Sequence, residues 1–220
     1  MNSPGKILFF VVILSGFFFL KGAYSFFSDS ADSTNNTFTA SSCFPSGNHI
    51  VVNEVLYDVD SGHTGQGSES RWEWIELYNP TGSTVDLTGW SISDGNDSDP
   101  LPGTPSIPPC SFAIVSGSSE AELEDQTDNG GNWIIPDGTL FITLTDSNIG
   151  NGLHNNNDAV FLKNNLSTDI DKMSYGTDTT GLNPPATDVA TGHSLERDPD
   201  GTDTDTAADF VDRTTPQPGL

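Results

Sequence analysis

Trp72-Glu73-Trp74-Ile75-Glu76-Leu77-Tyr78-Asn79-Pro80 is the stretch on which the reading of the fold turns. In an extended chain successive side chains face opposite sides, so Trp72, Trp74, Glu76 and Tyr78 point one way and Glu73, Ile75 and Leu77 the other. Asn79-Pro80-Thr81-Gly82 ends the strand, because Pro lacks an amide donor and Asn readily bonds its own backbone. The same pattern recurs in both directions. Upstream, Ile50 to Tyr57 is β-branched and apolar. Downstream, Val85 to Ser93 (broken by Gly89), Phe112 to Val115, Leu140 to Leu144, Ala159 to Leu162, Asp169 to Tyr175 and His193 to Arg197 read as strands. Gly, Pro, Asn and Asp loops separate them, and residues 119–126 offer one helical turn at most. Roughly eight short strands without crossover helices predict an all-β protein, an antiparallel sandwich or barrel.

The N-terminal text is of another kind. Lys6 supplies a basic start, Ile7 to Leu20 an apolar run, and Ala23-Tyr24-Ser25 the small residues of a cleavage site, so residues 1–25 are expected to be a helical export signal. The run is short for a bilayer core of about 30 Å; an uncleaved N-terminal anchor is the alternative. Residues 26–47 are rich in Ser, Thr and Asn and read as a flexible linker. The folded domain is expected over 48–219. These features predict a secreted, periplasmic or cell-surface protein, in contact with a membrane only if the N-terminal segment stays uncleaved.

The chain carries 7 basic and 31 acidic residues, a net charge of −24. Removing residues 1–25 takes away Lys6 and Lys21 and no acid, leaving −26. Such a field repels phosphate backbones and excludes a general nucleic-acid partner. The two cysteines, Cys43 and Cys110, both follow the signal, and in an oxidising compartment an even pair predicts one disulfide. Neither has a second Cys or a His at zinc-ligand spacing.

Several fragments, in order, resemble the lamin-tail domain family. They are Val52-Asn53-Glu54-Val55, Trp74-Ile75-Glu76-Leu77-Tyr78-Asn79-Pro80 and Val85-Asp86-Leu87-Thr88-Gly89-Trp90-Ser91-Ile92-Ser93-Asp94. Then follow Ile107-Pro108-Pro109 ahead of Phe112, Asn157-Asp158-Ala159-Val160-Phe161-Leu162, Tyr175-Gly176, Ser194-Leu195-Glu196-Arg197 and Thr215-Pro216-Gln217-Pro218-Gly219. The resemblance implies an immunoglobulin-like β-sandwich in which Asn53, Glu54, Trp74, Glu76, Leu77, Asn79, Leu87, Gly89, Trp90, Tyr175, Gly176, Ser194, Leu195, Arg197, Pro218 and Gly219 are folding residues. Trp74 and Trp90 are expected to fill the space between the sheets. The 58–71 loop and the polar 117–157 region depart from the family pattern.

Two acidic stretches are candidate Ca²⁺ loops: Asp198, Asp200, Asp203 and Asp205 in one, Asp94, Asp97 and Asp99 in the other. Alternating acids around a glycine can aim several oxygens at one cation. The first departs from the EF-hand template, with glycine fourth and no glutamate twelfth. Catalytic signatures are lacking. His49, His63, His154 and His193 share no short ligand spacing, Ser68 and Ser116 form no G-x-S-x-G, and no Gly-rich phosphate loop precedes a helix. The reading that follows is an exported, non-catalytic binding or scaffolding module without an obligatory cofactor, engaging a protein or cell-surface component. The alternative is a Ca²⁺- or metal-dependent extracellular hydrolase or adhesin that uses the Asp-rich loops.

Overall fold

The computed structural model describes residues 46–125 and 131–220. The expected export signal, nearly all of the linker and Cys43 lie outside the described residues. The strands are β1 (Val51–Leu56), β2 (Trp74–Tyr78), β3 (Val85–Asp86), β4 (Ser91–Ser93), β5 (Ser98–Pro100), β6 (Ser106–Ile107) and β7 (Phe112–Ser116), then, after a one-turn helix α1 (Glu120–Leu123), β8 (Leu140–Thr143), β9 (Asp158–Lys163), β10 (Asp169–Tyr175), β11 (Ser194–Arg197) and β12 (Phe210–Arg213). One sheet has six strands in the order β12-β11-β1-β2-β7-β8, and a second has four in the order β10-β9-β4-β5. A two-stranded β3–β6 pair completes the set. This is the all-β, immunoglobulin-like sandwich that the strand pattern and the resemblance implied. Pairing is antiparallel except between β7 and β8, which run parallel.

The core between the sheets is aliphatic. Val52, Val55, Ile75, Leu77, Val115 and Leu195 from the larger sheet meet Ile92, Val160, Leu162 and Met173 from the smaller. At one end Tyr57 and Tyr175 stack with ring centroids 3.7 Å apart. Their hydroxyls do not go unpaired: Tyr57 donates to Asp188 Oδ1 (2.8 Å) and accepts from the Val189 amide, and Tyr175 donates to the His154 carbonyl (2.7 Å).

Trp74 departs from expectation. Ile75 and Leu77 take the core face, so the two-residue period puts Trp74 on the outer face of the six-stranded sheet. There it joins Leu56, Val59, Trp72, Ile114, Leu123, Trp133 and Ile135 in a second, smaller cluster. The 117–157 region that departs from the family pattern supplies its cover. Ser119 and Glu122 form a capping box on α1, and the chain returns to bring Trp133 edge-on to Trp74 at 5.8 Å. Trp72 and Trp133 are thus buried in packing, and the His63 ring stacks on Trp133 with centroids 4.0 Å apart. Trp90 is half-buried against the main core.

Strand β1 is buried at all six positions, which strict alternation cannot explain. Its pairing with β2 shifts register between Val52 and Glu54. The bulge changes the phase of the strand, so Ile50 and Val52 before it and Val55 and Tyr57 after it all reach the main core. Val85 to Ser93, read as one interrupted strand, is divided. Gly89 adopts φ +77°, a left-handed turn that glycine enters without strain, and β3 and β4 join different sheets.

Candidate functional site

Ser194-Leu195-Glu196-Arg197 on β11 carries a guanidinium into the interior. Arg197 is 1% exposed. Its Nε donates to the Val52 carbonyl (2.9 Å), Nη2 to both oxygens of Asp171 (3.1 and 3.0 Å), and Nη1 to the Thr202 carbonyl, Asp203 and Asp209. Asp171 enters from a bulge in β10 and also accepts from the Val52 and Lys172 amides. Burial raises the Asp171 pKa against the pull of Arg197. The acidic loop after β11 is therefore organised around an internal cation. Among the described residues the one grouping of three metal-ligand side chains is His49, Asp171 and Asp203. Arg197 already sits on two of the three, and His49 Nε2 lies 3.1 Å from Asp203.

The candidate Ca²⁺ residues are dispersed. Asp200 accepts from Asn53 Nδ2 (3.0 Å), Asp198 pairs with Arg213 at 3.6 Å, and Asp203 belongs to the Arg197 cluster. Asp205 is exposed at φ +56°, and Asp203 accepts its amide. In the other loop Asp94 accepts from the Asn96, Asp97 and Asn151 amides, Asp97 from the Ser98 amide, and Asp99 from the Gly150 amide. Burial pushes Asp99 up to about 6. These groups bond different backbone and side-chain partners, and among the described residues neither set forms a grouping of three metal-ligand side chains.

The glutamates of the motif strands form a row. Registers place Glu196, Glu54 and Glu76 side by side on three neighbouring strands, on the outer face of the larger sheet. Burial first, then the neighbouring Glu196, lifts Glu54 to about 8. Burial and Glu54 together hold Glu76 well above the usual carboxylate range. The last residues of the chain seal this row. The Gln217 amide donates to Glu54 and the Gly219 amide to Glu76 (2.6 Å), while Pro216 and Pro218 are buried. Ser194 Oγ bonds Glu54, and Arg213 pairs with Glu196. Asn53, in the β1 bulge, donates to Glu76 and Asp200 and accepts from the Gly201 amide. Asn79 likewise donates to the Ser83, Ile107 and Pro108 carbonyls. The carboxyl row thus faces a peptide strap and not an open cleft.

Sequence reasoning identified Asn53, Glu54, Glu76, Ser194 and Arg197 as folding residues and missed their partners. Asp171 and Asp209 carried a signal, each being an acid inside or beside an apolar strand. Glu73 carried one too, since alternation aims it with Ile75 and Leu77. Glu73 is fully buried; its Oε2 accepts the Leu153 amide (3.0 Å), and burial, with Glu69, Asp158 and Asp94 nearby, lifts it to about 10.

Compared with known proteins, residues 44–177 match the family model described as Lamin Tail Domain. The match spans more than half of the chain and contains the motif residues from Asn53 to Gly176; Ser194, Leu195, Arg197, Pro218 and Gly219 lie beyond it. No curated protein matches the sequence.

Proposed function

The chain belongs to the lamin tail domain family, and on that premise we propose that it works as an exported, non-catalytic binding or scaffolding module that engages a protein or cell-surface component. The observation that carries this reading is the engagement of its acids. Glu54 and Glu76 are bonded by the strap, Glu196 by Arg213, and Asp171, Asp203 and Asp209 surround Arg197, so among the described residues these acids are committed to partners within the fold. A polarised water needs free acids to converge on it, and among the described residues no geometry favours the metal-dependent hydrolase.

Export and a Cys43–Cys110 disulfide belong to the same proposal. The Cys110 amide donates to the Asn79 carbonyl, and the Ser46 amide to the neighbouring Pro80 carbonyl (2.8 and 3.0 Å), so the chain enters the domain beside Cys110. In the chain-entropy model a bridge there stabilises by about 4 kcal/mol.

The test uses the chain as its producing organism exports it. We expect the mature N-terminus at Phe26, a mass two protons below the reduced form, and saturable retention on envelopes of that organism. Retention no higher than that of an unrelated acidic protein overturns the binding reading. In the same sample, the melting midpoint is expected to be equal with EDTA and with Ca²⁺, because a ligand that binds only the native state must raise it.

A further inference from the structure

We infer that the open cleft between the 68–70 turn and the 151–157 loop binds a neutral, polyhydroxylated ligand, the sugar units of a surface polysaccharide. This rests on the binding-module reading and names its site and ligand class. The cleft has a volume of about 590 Å³, and Asn151, Asn156, Asn157, His154, Ser68 and Ser70 line it. Both walls come from the two segments that depart from the family pattern, and Ser70 Oγ ties them together through Asn148 Oδ1 (3.0 Å).

The asparagine loop is held from behind. Asp99 accepts the Gly150 amide, Asp94 the Asn151 amide, Glu73 the Leu153 amide and Asp158 the His154 amide, at 2.6 to 3.0 Å. Tyr175 holds the His154 carbonyl, and Asn155 donates to Asp58 (2.7 Å). Buried side chains thus fix the backbone of Gly150, Asn151, Leu153 and His154. By contrast the side chains of Asn151, Asn156, Asn157 and His154 form no hydrogen bond among the described residues, and Asn151, Asn156 and His154 are exposed. A fixed backbone with unengaged polar side chains is a preorganised site, since little ordering remains for the ligand to supply.

The chemistry of the lining selects the ligand class. An anion meets Glu69 and the field of a −24 chain. A cation finds few free carboxylate oxygens: Glu69 Oε1 accepts the Val59 amide, both Asp158 oxygens accept amides, and Glu73 keeps its proton near neutrality. An apolar peptide anchor finds only Leu153, which is 3% exposed. What is left are the amides of Asn151, Asn156 and Asn157, each with a donor and an acceptor, and the Ser68 hydroxyl, which accepts from Ser70 Oγ and keeps its own proton to donate; they match the paired donor and acceptor character of sugar hydroxyls.

The experiment titrates the exported chain with soluble β-1,4-glucan, α-1,4-glucan and β-1,4-N-acetylglucosamine oligosaccharides, followed by backbone amide shifts. Saturable shifts confined to residues 68–70 and 150–158, unchanged at high salt, are expected for at least one of them. Replacing both Asn156→Ala and Asn157→Ala should weaken binding roughly tenfold, the equivalent of one or two lost hydrogen bonds, with an unchanged melting midpoint. No shift in these loops with any of the three oligosaccharides overturns the inference. Envelope retention that persists undiminished in the double variant overturns this site while leaving the module reading intact.

Discussion

Arg197 shows how one side chain can organise a loop that reads, in one dimension, as a cation site. A buried guanidinium with five N–H donors must have acceptors, and it obtains them from Val52, Asp171, Thr202, Asp203 and Asp209. The Phe210 ring packs beneath it at 4.5 Å. Removing the cation by Arg197→Met leaves Asp171 and Asp209 buried without their partner, and we expect a loss of about 3–5 kcal/mol in urea denaturation. Arg197→Lys should recover less than half of that, because a single ammonium cannot reach Asp171 in bidentate fashion and Val52 together. A loss below about 1 kcal/mol would show that the cluster does not support the fold. The sequence marks Arg197 through its place in Ser194-Leu195-Glu196-Arg197. It cannot assign the partner, since Asp171 is 26 residues away on the other sheet.

Among the elements, the C-terminal strap has the most direct consequence. Thr215-Pro216-Gln217-Pro218-Gly219 holds itself extended through its prolines and lays two amides on Glu54 and Glu76. Ending the chain after Arg213 strands two buried carboxyl groups, each of which loses about 1–3 kcal/mol of hydrogen bonding. The expected result is a drop of roughly 2–6 kcal/mol in stability, with faster hydrogen exchange in β1 and β2. Unchanged exchange there would mean that the strap merely decorates the sheet. The longer strands β1, β2, β7, β9 and β10 were legible because runs of β-branched, aromatic and apolar residues bounded by turn residues read as strands. Strands β5 and β6 are too short to show such a run, and β12 (Phe210–Arg213) is half charged. The parallel β7–β8 pairing was not legible either, as direction is set by the path of the intervening segment.

At the scale of the molecule, buried acids couple folding to pH. Glu54 is held at about 8 and Glu73 at about 10, against 4.5 for an exposed glutamate, and Glu76 is also raised. The folded chain therefore keeps protons that the unfolded chain releases above about pH 4.5, so stability falls as pH rises toward 8 for Glu54 and toward 10 for Glu73. The melting midpoint should decline between about pH 6 and pH 9, and Glu73→Gln should flatten part of that slope. A midpoint that is level or rising over this range would mean that these groups ionise freely in the native state. By itself the sequence determined the β content, the position of the longer strands and the residues of the family motif, because alternation and turn chemistry act between neighbours. The tertiary structure alone decided that the acidic loop closes on Arg197, that Trp74 leaves the core for an outer layer, and that the glutamates lie under a strap. Those outcomes depend on the β1 bulge and on cross-strand register, which bring together residues far apart in the chain, such as Val52 with Arg197 and Glu76 with Gly219.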